Sequence, residues 1–279
     1  MNRNASLTRP ANRARLAALA LAWAVFLGGC AAKTPSGSEN EARAVWAQFR
    51  AAAEAPAAPF SVQASLNFSA PGKSHRVLLK LWGDAGYPLR LDFAAGLGQI
   101  FSMWREDAAG WLAYYPMSHA AYSHPDTRKG AAMLGMPLPL SLRELAAVIC
   151  GRFGEFVPRE YQTVKTRPGG LEYALKGDPR LSSVTLDAAG RPVGLAGKGL
   201  EPWRVEFSDY QDSGGRELPQ MIVVTTPGGL KGVVRIKKYE ERGEPWPPSA
   251  LNLPLPENTT VYALDLMPNF KKPDVGGGQ

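Results

Sequence analysis

The chain has 279 residues with 45% apolar and 20% charged side chains, enough for one large globular domain or two small ones and too apolar for a disordered chain. Its formal charge of +7 falls to +3 once the first thirty residues are set aside, because Arg3, Arg9, Arg13 and Arg15 lie there with no acid beside them. No Lys/Arg-rich run remains in the rest, so nucleic acid is not an expected partner.

Residues 1–29 read as a lipoprotein signal peptide: the basic start, a short apolar run from Leu16 to Leu27, and then "LGGC" at 27–30. The apolar run is too short for a comfortable membrane span. The segment 30–40, with "AAKTPSGSEN" after the cysteine, is a polar tether. Cys150 is the one other cysteine, so no disulfide framework exists, and it reads as a small buried hydrophobe.

A helix is predicted from Ser38, where Ser38 and Glu41 spell a capping box, with Val45, Trp46, Phe49, Ala52 and Ala53 on its apolar face. From Phe60 the period changes to two: Phe60, Val62, Ala64, Leu66 and Phe68 alternate with polar residues, which predicts a half-buried strand. Turn signals then recur at 71–73, 84–86, 107–110, 168–170, 187–190, 213–215 and 227–229. They separate about ten or eleven strands in all, joined mostly in sequence order. A second helix is predicted after "MPLPL". Ser141 and Glu144 form its capping box, Leu140 and Leu145 a hydrophobic staple, and Gly151 the stop, with Leu142, Leu145 and Ile149 on one face. The fold class expected is α+β, mainly β: a curled antiparallel open half-barrel covered by a helical lid, because twisted strands curl and an apolar concave face needs cover. The domain is placed at 41–244. Residues 245–279 form a proline-rich extension with one late strand-like piece, "TTVYALDL", and a disordered end.

The chemistry of a catalytic or metal site is missing from the pattern. His119 and His124 are five apart, so on a strand they face opposite ways, and no Cys or acid cluster completes a ligand set. There is no nucleophile elbow and no phosphate-binding glycine loop. A non-enzyme is expected. What stands out is apolar excess between residues 82 and 122, and the turn "AAGLG", where Leu97 sits between Gly96 and Gly98 at a hairpin tip. An apolar tip gains little from its own domain and fits a partner or a lipid.

The chain from about Trp46 to Tyr239 resembles the LolB family of outer-membrane lipoprotein receptors, within the LolA/LolB lipoprotein-localisation fold family. The resemblance rests on the lipobox at Cys30, "FAAGLGQI" at 93–100, "LGMPLPLSLRELAAVICG" at 134–151, and the closing strands "WRVEFSDY", "LPQMIVV" and "GVVRIKKY". It implies that Cys30 carries a diacylglycerol and an N-acyl chain and that no dissociable cofactor is needed. It implies an apolar acyl-chain cavity, here assigned to Trp46, Phe49, Phe68, Trp82, Phe93, Phe101, Trp104, Leu142, Leu145 and Ile149. The loop Gly96, Leu97, Gly98 would touch the membrane. The implied function is to receive acylated lipoprotein cargo from a LolA-like periplasmic carrier and insert it into the inner leaflet of the outer membrane, acting as a monomer. In lipoproteins of the enterobacterial type, Asp after the lipidated cysteine favours inner-membrane retention; Ala31 stands there instead. Two features depart from the family: the helix after "PLPL" lacks its usual Trp, and the tail resembles the end of a LolA-type chain. A protein of this fold that binds another lipid or glycolipid therefore stays open, as does a structural or assembly lipoprotein.

Overall fold

The computed structural model describes residues 36–53, 58–70, 73–84, 86–96, 98–135, 139–198, 202–267 and 270. The chain divides into two compact units, Met1–Glu41 and Ala42–Gln279, and the sheet lies in the second.

Helix α1 (Ser36–Ala53) begins two residues earlier than the capping pattern suggests. The Ser38 side chain lies outside the described residues. The buried face of α1 runs through Ala42, Val45, Trp46, Phe49 and Ala53, the spacing of one helical stripe, while Ala52 is exposed.

Fourteen strands follow. The first meander is β1 (Phe60–Ala70), β2 (Lys73–Gly83), β3 (Leu89–Ala94), β4 (Ile100–Asp107), β5 (Gly110–Tyr115) and β6 (Ala120–His124). Two short helices intervene, α2 (Thr127–Met133) and α3 (Leu142–Ile149). The second meander is β7 (Tyr161–Arg167), β8 (Gly170–Leu175), β9 (Leu181–Leu186), β10 (Pro192–Gly197), β11 (Arg204–Asp212), β12 (Glu217–Thr225) and β13 (Lys231–Glu241). After the one-turn helix α4 (Pro248–Leu251) the chain ends in β14 (Thr260–Ala263). The sheet order is β14-β6-β5-β4-β3-β2-β1-β13-β12-β11-β10-β9-β8-β7. The two meanders therefore share one seam, the antiparallel β1–β13 ladder from Phe60↔Glu241 to Ser69↔Lys231. Only β14 runs parallel to its neighbour, β6, among the described pairings.

The curled half-barrel expected from the sequence is not what forms. The sheet is one open α+β layer with two edges, β14 and β7, and among the described residues it has fourteen strands where ten or eleven were expected. The expectation rested on strand twist and on one concave apolar face left to be covered. In fact both faces of the first meander are covered, and a sheet covered on both sides has no need to wrap around its own core. On one face, Leu81, Leu91 and Trp104 pair across β2, β3 and β4 and pack into the main core. On the other, Trp82, Arg90 and Arg105 stand in a cross-strand row. Residues 246–255 lie over that row.

This C-terminal strap is fastened by its own backbone carbonyls. Trp82 Nε1 donates to Ala250 O at 3.1 Å, Arg105 Nε to Leu251 O at 3.2 Å, and Arg90 Nη1 to Asn252 O. Arg90 also pairs with Asp92 at 3.1 Å and lies 5.0 Å over the Trp82 ring. Leu253 packs with Tyr114 and Ala121. Trp246 closes the start of the strap, donating from Nε1 to Phe60 O and from its backbone to Asp84. The segment from Pro245 to Ala263, an extension by resemblance, is thus built into the fold.

Replacing Arg90 with Ala leaves the Asn252 carbonyl and the Asp92 carboxylate without their buried partner, so the change is expected to cost about 3 kcal/mol. Urea unfolding of the two proteins measures it.

Candidate functional site

Helices α1 and α3 lie on the apolar sheet face, each held by a different device. Trp46 anchors α1 among aromatic rings, with its centroid 5.0 Å from those of Tyr161 and Tyr173 and 5.2 Å from that of Phe49. Three hydrogen bonds fix the helix axis: Trp46 Nε1 to Arg159 O (3.2 Å), Arg50 Nη1 to Val157 O (3.2 Å) and Tyr173 OH to Ala42 O (2.7 Å).

Helix α3 carries the capping box that its sequence spells. Ser141 Oγ accepts from Glu144 N at 3.2 Å, and the Glu144 carboxylate accepts from Ser141 N at 2.9 Å. Its end is a Schellman turn, with Gly151 at φ +73°, Gly151 N–H on Val148 O and Arg152 N–H on Ala147 O. Leu142 and Ile149 are fully buried, and Leu145 is half-buried. Cys150, next in line, is buried, and that burial pushes its thiol pKa up.

A polar latch ties the start of α3 to the sheet. Buried Glu106 on β4 accepts from Leu142 N at 2.7 Å and from Tyr87 OH at 2.9 Å. This puts a carboxylate on the helix N-terminus, where the partial positive charge favours it. Glu144 pairs with Arg180 at 2.7 Å and with Arg128 at 3.5 Å, joining α3 to the β8–β9 turn and to α2. These residues line an open polar cleft of about 530 Å³. Asp126 caps α2 through the Arg128 and Lys129 amides. Burial works against its carboxylate, but Arg128 and those two amides outweigh it and hold its pKa below the ordinary 3.8.

The residues assigned to an acyl cavity separate as follows. Trp46, Phe49, Phe93, Trp104, Leu142 and Ile149 belong to one continuous core, with Phe101 and Leu145 packed against it. Rings touch directly along the sheet, Phe93 to Trp104 at 5.1 Å and Trp104 to Trp111 at 4.9 Å, and Phe49, Leu142 and Ile149 from the helices pack into the same buried cluster. Phe68 is half-buried towards the end of β1. Trp82 is on the opposite face, under the strap. Cys30 and Leu97 lie outside the described residues.

The loop around position 97 has neighbours that the sequence does not single out. It is closed by Ala95 N to Gln99 O (2.9 Å) and Gly98 N to Ala95 O (2.8 Å), with Gly98 at φ +84°. Gly96 and Gly98 are exposed. Beside it, Leu78 and Ile100 are both register partners of Ala94 and are 37% and 39% exposed. Met117, 74% exposed on the β5–β6 connection, contacts Gln99 through its sulfur at 3.7 Å. Two adjacent hairpin ends therefore present one apolar tip. An apolar residue beside a hairpin turn was the only available sequence signal for Ile100, and Glu106, between Arg105 and Asp107, gave none. Among the described residues no group of three His, Cys, Asp or Glu could hold a metal ion.

No protein-family model matches the chain, and no curated protein sequence matches it. Solved structures do. A LolA superfamily protein from Nitrosomonas europaea superposes with a TM-score of 0.53 at 9% identity, over 76% of this chain and 97% of that one. The chain has a LolA-type fold. A DUF1329 family protein from Desulfovibrio piger gives a TM-score of 0.53 at 12% identity, over 75% of this chain and 96% of that one. A domain from Vibrio parahaemolyticus, provisionally named an outer membrane lipoprotein-sorting protein domain, gives 0.50 at 12% identity over 74% and 94%. At these identities the likeness is one of fold.

Two outcomes test the latch. Glu106→Ala removes the acceptor of the first α3 amide and is expected to weaken the helix by about 2 kcal/mol, read as faster hydrogen exchange over 142–149. Because the Asp126 pKa is lowered on folding, its contribution is complete above the ordinary carboxylate value and is lost as pH falls through the native one. The Gly130 amide, bonded to Asp126 O at 3.0 Å, is expected to lose protection over that acid range and to stay protected at neutral pH.

Proposed function

We propose that this chain is an envelope lipoprotein that binds acyl chains of a lipid or of an acylated protein, holding them on the apolar sheet face beneath α1 and α3. The observation that carries the reading is the continuity of that face with the exposed tip: Ile100 and Met117 outside lead through half-buried Phe101 and Tyr115 to buried Phe93 and Trp104. The LolA-type fold supports it, since one of the similar structures is named for outer membrane lipoprotein sorting and another for the LolA superfamily. No catalysis is required.

In this reading Cys30, in its lipobox, carries the acyl groups that anchor the chain to the outer membrane, facing the periplasm. Burying a chain of about fourteen methylenes at about 0.8 kcal/mol each is worth about 11 kcal/mol, enough to hold it against water and still release it to a bilayer. Because the core is filled by side chains, a ligand has to displace part of it, and the part of α3 beyond its latched first turn is the element least held by polar contacts. Leu145 and Ile149, further along α3, would give way to the chain, while the Glu106 latch keeps Leu142 and the start of α3 in place. Delivery of acylated proteins from a LolA-like carrier is the narrower form of the same function. It adds a step at the tip, where Leu97 would enter the bilayer with Ile100 and Met117.

The test is lipid content and uptake. The protein purified from envelopes is expected to carry non-covalent acyl lipid detectable by mass spectrometry after extraction, and to take up a fluorescent fatty acid. A protein that carries no lipid and takes up none would contradict the reading. Replacing Ile100 and Met117 with Ser and Gln is expected to leave uptake unchanged and to lower release to vesicles at least tenfold. Unchanged release would separate acyl binding from membrane delivery.

A further inference from the structure

The apolar wall between tip and core carries a polar spot. Ser102, fully buried on β4, accepts from Trp104 Nε1 at 2.8 Å. The register that sets Met103 opposite Tyr114 and Trp104 opposite Ala113 brings Tyr115 opposite Ser102 on the same face. Tyr115 is half-buried; that burial pushes its hydroxyl pKa up, while Ser102 and Trp104 beside the hydroxyl pull it the other way. Tyr115 also meets Tyr122 edge-on at 5.7 Å.

The hydrogen count of this trio matters. An indole N–H and two hydroxyls supply three donor hydrogens. Trp104 uses one on Ser102, and one hydroxyl can bond the other. One hydroxyl hydrogen is then left without an acceptor inside the trio. A hydroxyl hydrogen left over in a half-buried apolar wall is matched by an acceptor that brings no hydrogen of its own. A carbonyl at the head of a fatty chain is such a group. The place fits as well: the trio lies two to four residues inward of Ile100 along β4, so a chain entering at the tip would set its head there and its methylenes against Phe93, Trp104 and Trp111.

We propose that Ser102 and Tyr115 form an ester-reading subsite, in which a hydroxyl donates to the ester carbonyl of an acylglycerol and so sets how deep the chain enters. The inference rests on the acyl-binding reading above and narrows its ligand to fatty acyl esters. Trp104 is a positioning residue, holding Ser102 through its indole. The carbonyl has two sources, a phospholipid or the diacylglycerol of an acylated protein.

The test sets ester against ether. The full-length protein in detergent micelles is equilibrated with equal amounts of a dipalmitoyl ester phospholipid and its dihexadecyl ether counterpart. Bound species are then counted by native mass spectrometry. Wild type is expected to hold the ester about tenfold over the ether, the size of one buried hydrogen bond. Tyr115→Phe and Ser102→Ala keep ring and volume; at least one of them is expected to bring the ratio near one without reducing ether binding. A wild-type ratio near one overturns the subsite while leaving acyl binding intact. A preference unchanged in both variants overturns it too, by placing the ester elsewhere. Binding of neither lipid overturns the acyl-binding reading and the subsite with it. Adding a dipalmitoylglyceryl-cysteine peptide then assigns the source, since displacement of the bound phospholipid supports acylated proteins and its persistence supports free lipid.

Discussion

Strand β1 pairs along its whole length with a strand close to it in sequence, β2, and with one near the far end of the chain, β13. Everything else is arranged around that double ladder. It turns two separate meanders into one sheet, sets Phe60, Val62 and Ala64 at the centre of the core, and gives α1, which enters β1 within a few residues, a fixed place on the apolar face. The cost is topological. The β1–β13 contacts are far apart in sequence, so closing them costs more chain entropy than closing a local hairpin.

The sheet then has to be covered. Helices α1 and α3 do so on one face, by different means: aromatic packing around Trp46 for α1, a buried carboxylate on the helix N-terminus for α3. The C-terminal strap covers the other face of the first meander with three of its carbonyls fastened by Trp82, Arg105 and Arg90. These attachments differ in what they permit. Apolar contacts beneath a helix can be exchanged for other apolar contacts, such as an acyl chain, at little net loss. A carbonyl fastened by a buried arginine cannot be released without leaving polar groups unpaired. The apolar contacts under the helices are therefore the exchangeable ones, with α1 keeping its three hydrogen bonds at Ala42, Trp46 and Arg50, and the face under the strap is structural.

How far this was legible in the sequence depends on the kind of residue. The α3 boundaries were plain, because Ser141, Glu144 and Gly151 act within one or two turns of their own backbone. The alternation from Phe60 to Phe68 gave β1 directly. Strands β6 and β10 were not legible: "AAYSH" and "PVGLAG" are built from small residues and proline. Gly194 on β10 stands opposite Thr185 of β9, a pairing that only the packed sheet reveals. The sheet order was not legible for the same reason, since the β1–β13 register is a long-range property. Strand twist alone led to an expected curl, without the cover that the C-terminal strap gives the second face. Trp82 was grouped with the core aromatics although its neighbour Leu81 already faced the core, and adjacent strand residues face opposite ways. Cys30 and Leu97 stand on motif alone.

The central claim is that the core beneath α1 and α3 opens to admit an acyl chain. Hydrogen exchange of the full-length protein, with and without a dipalmitoyl phospholipid, tests it most directly. The account predicts altered protection over Ala42–Ala53 and Leu142–Ile149, with the β1 and β13 amides unchanged. Changes confined to residues 94–100 and 116–119, with both helices as protected as before, would show a packed core that only docks on lipid, and would contradict it.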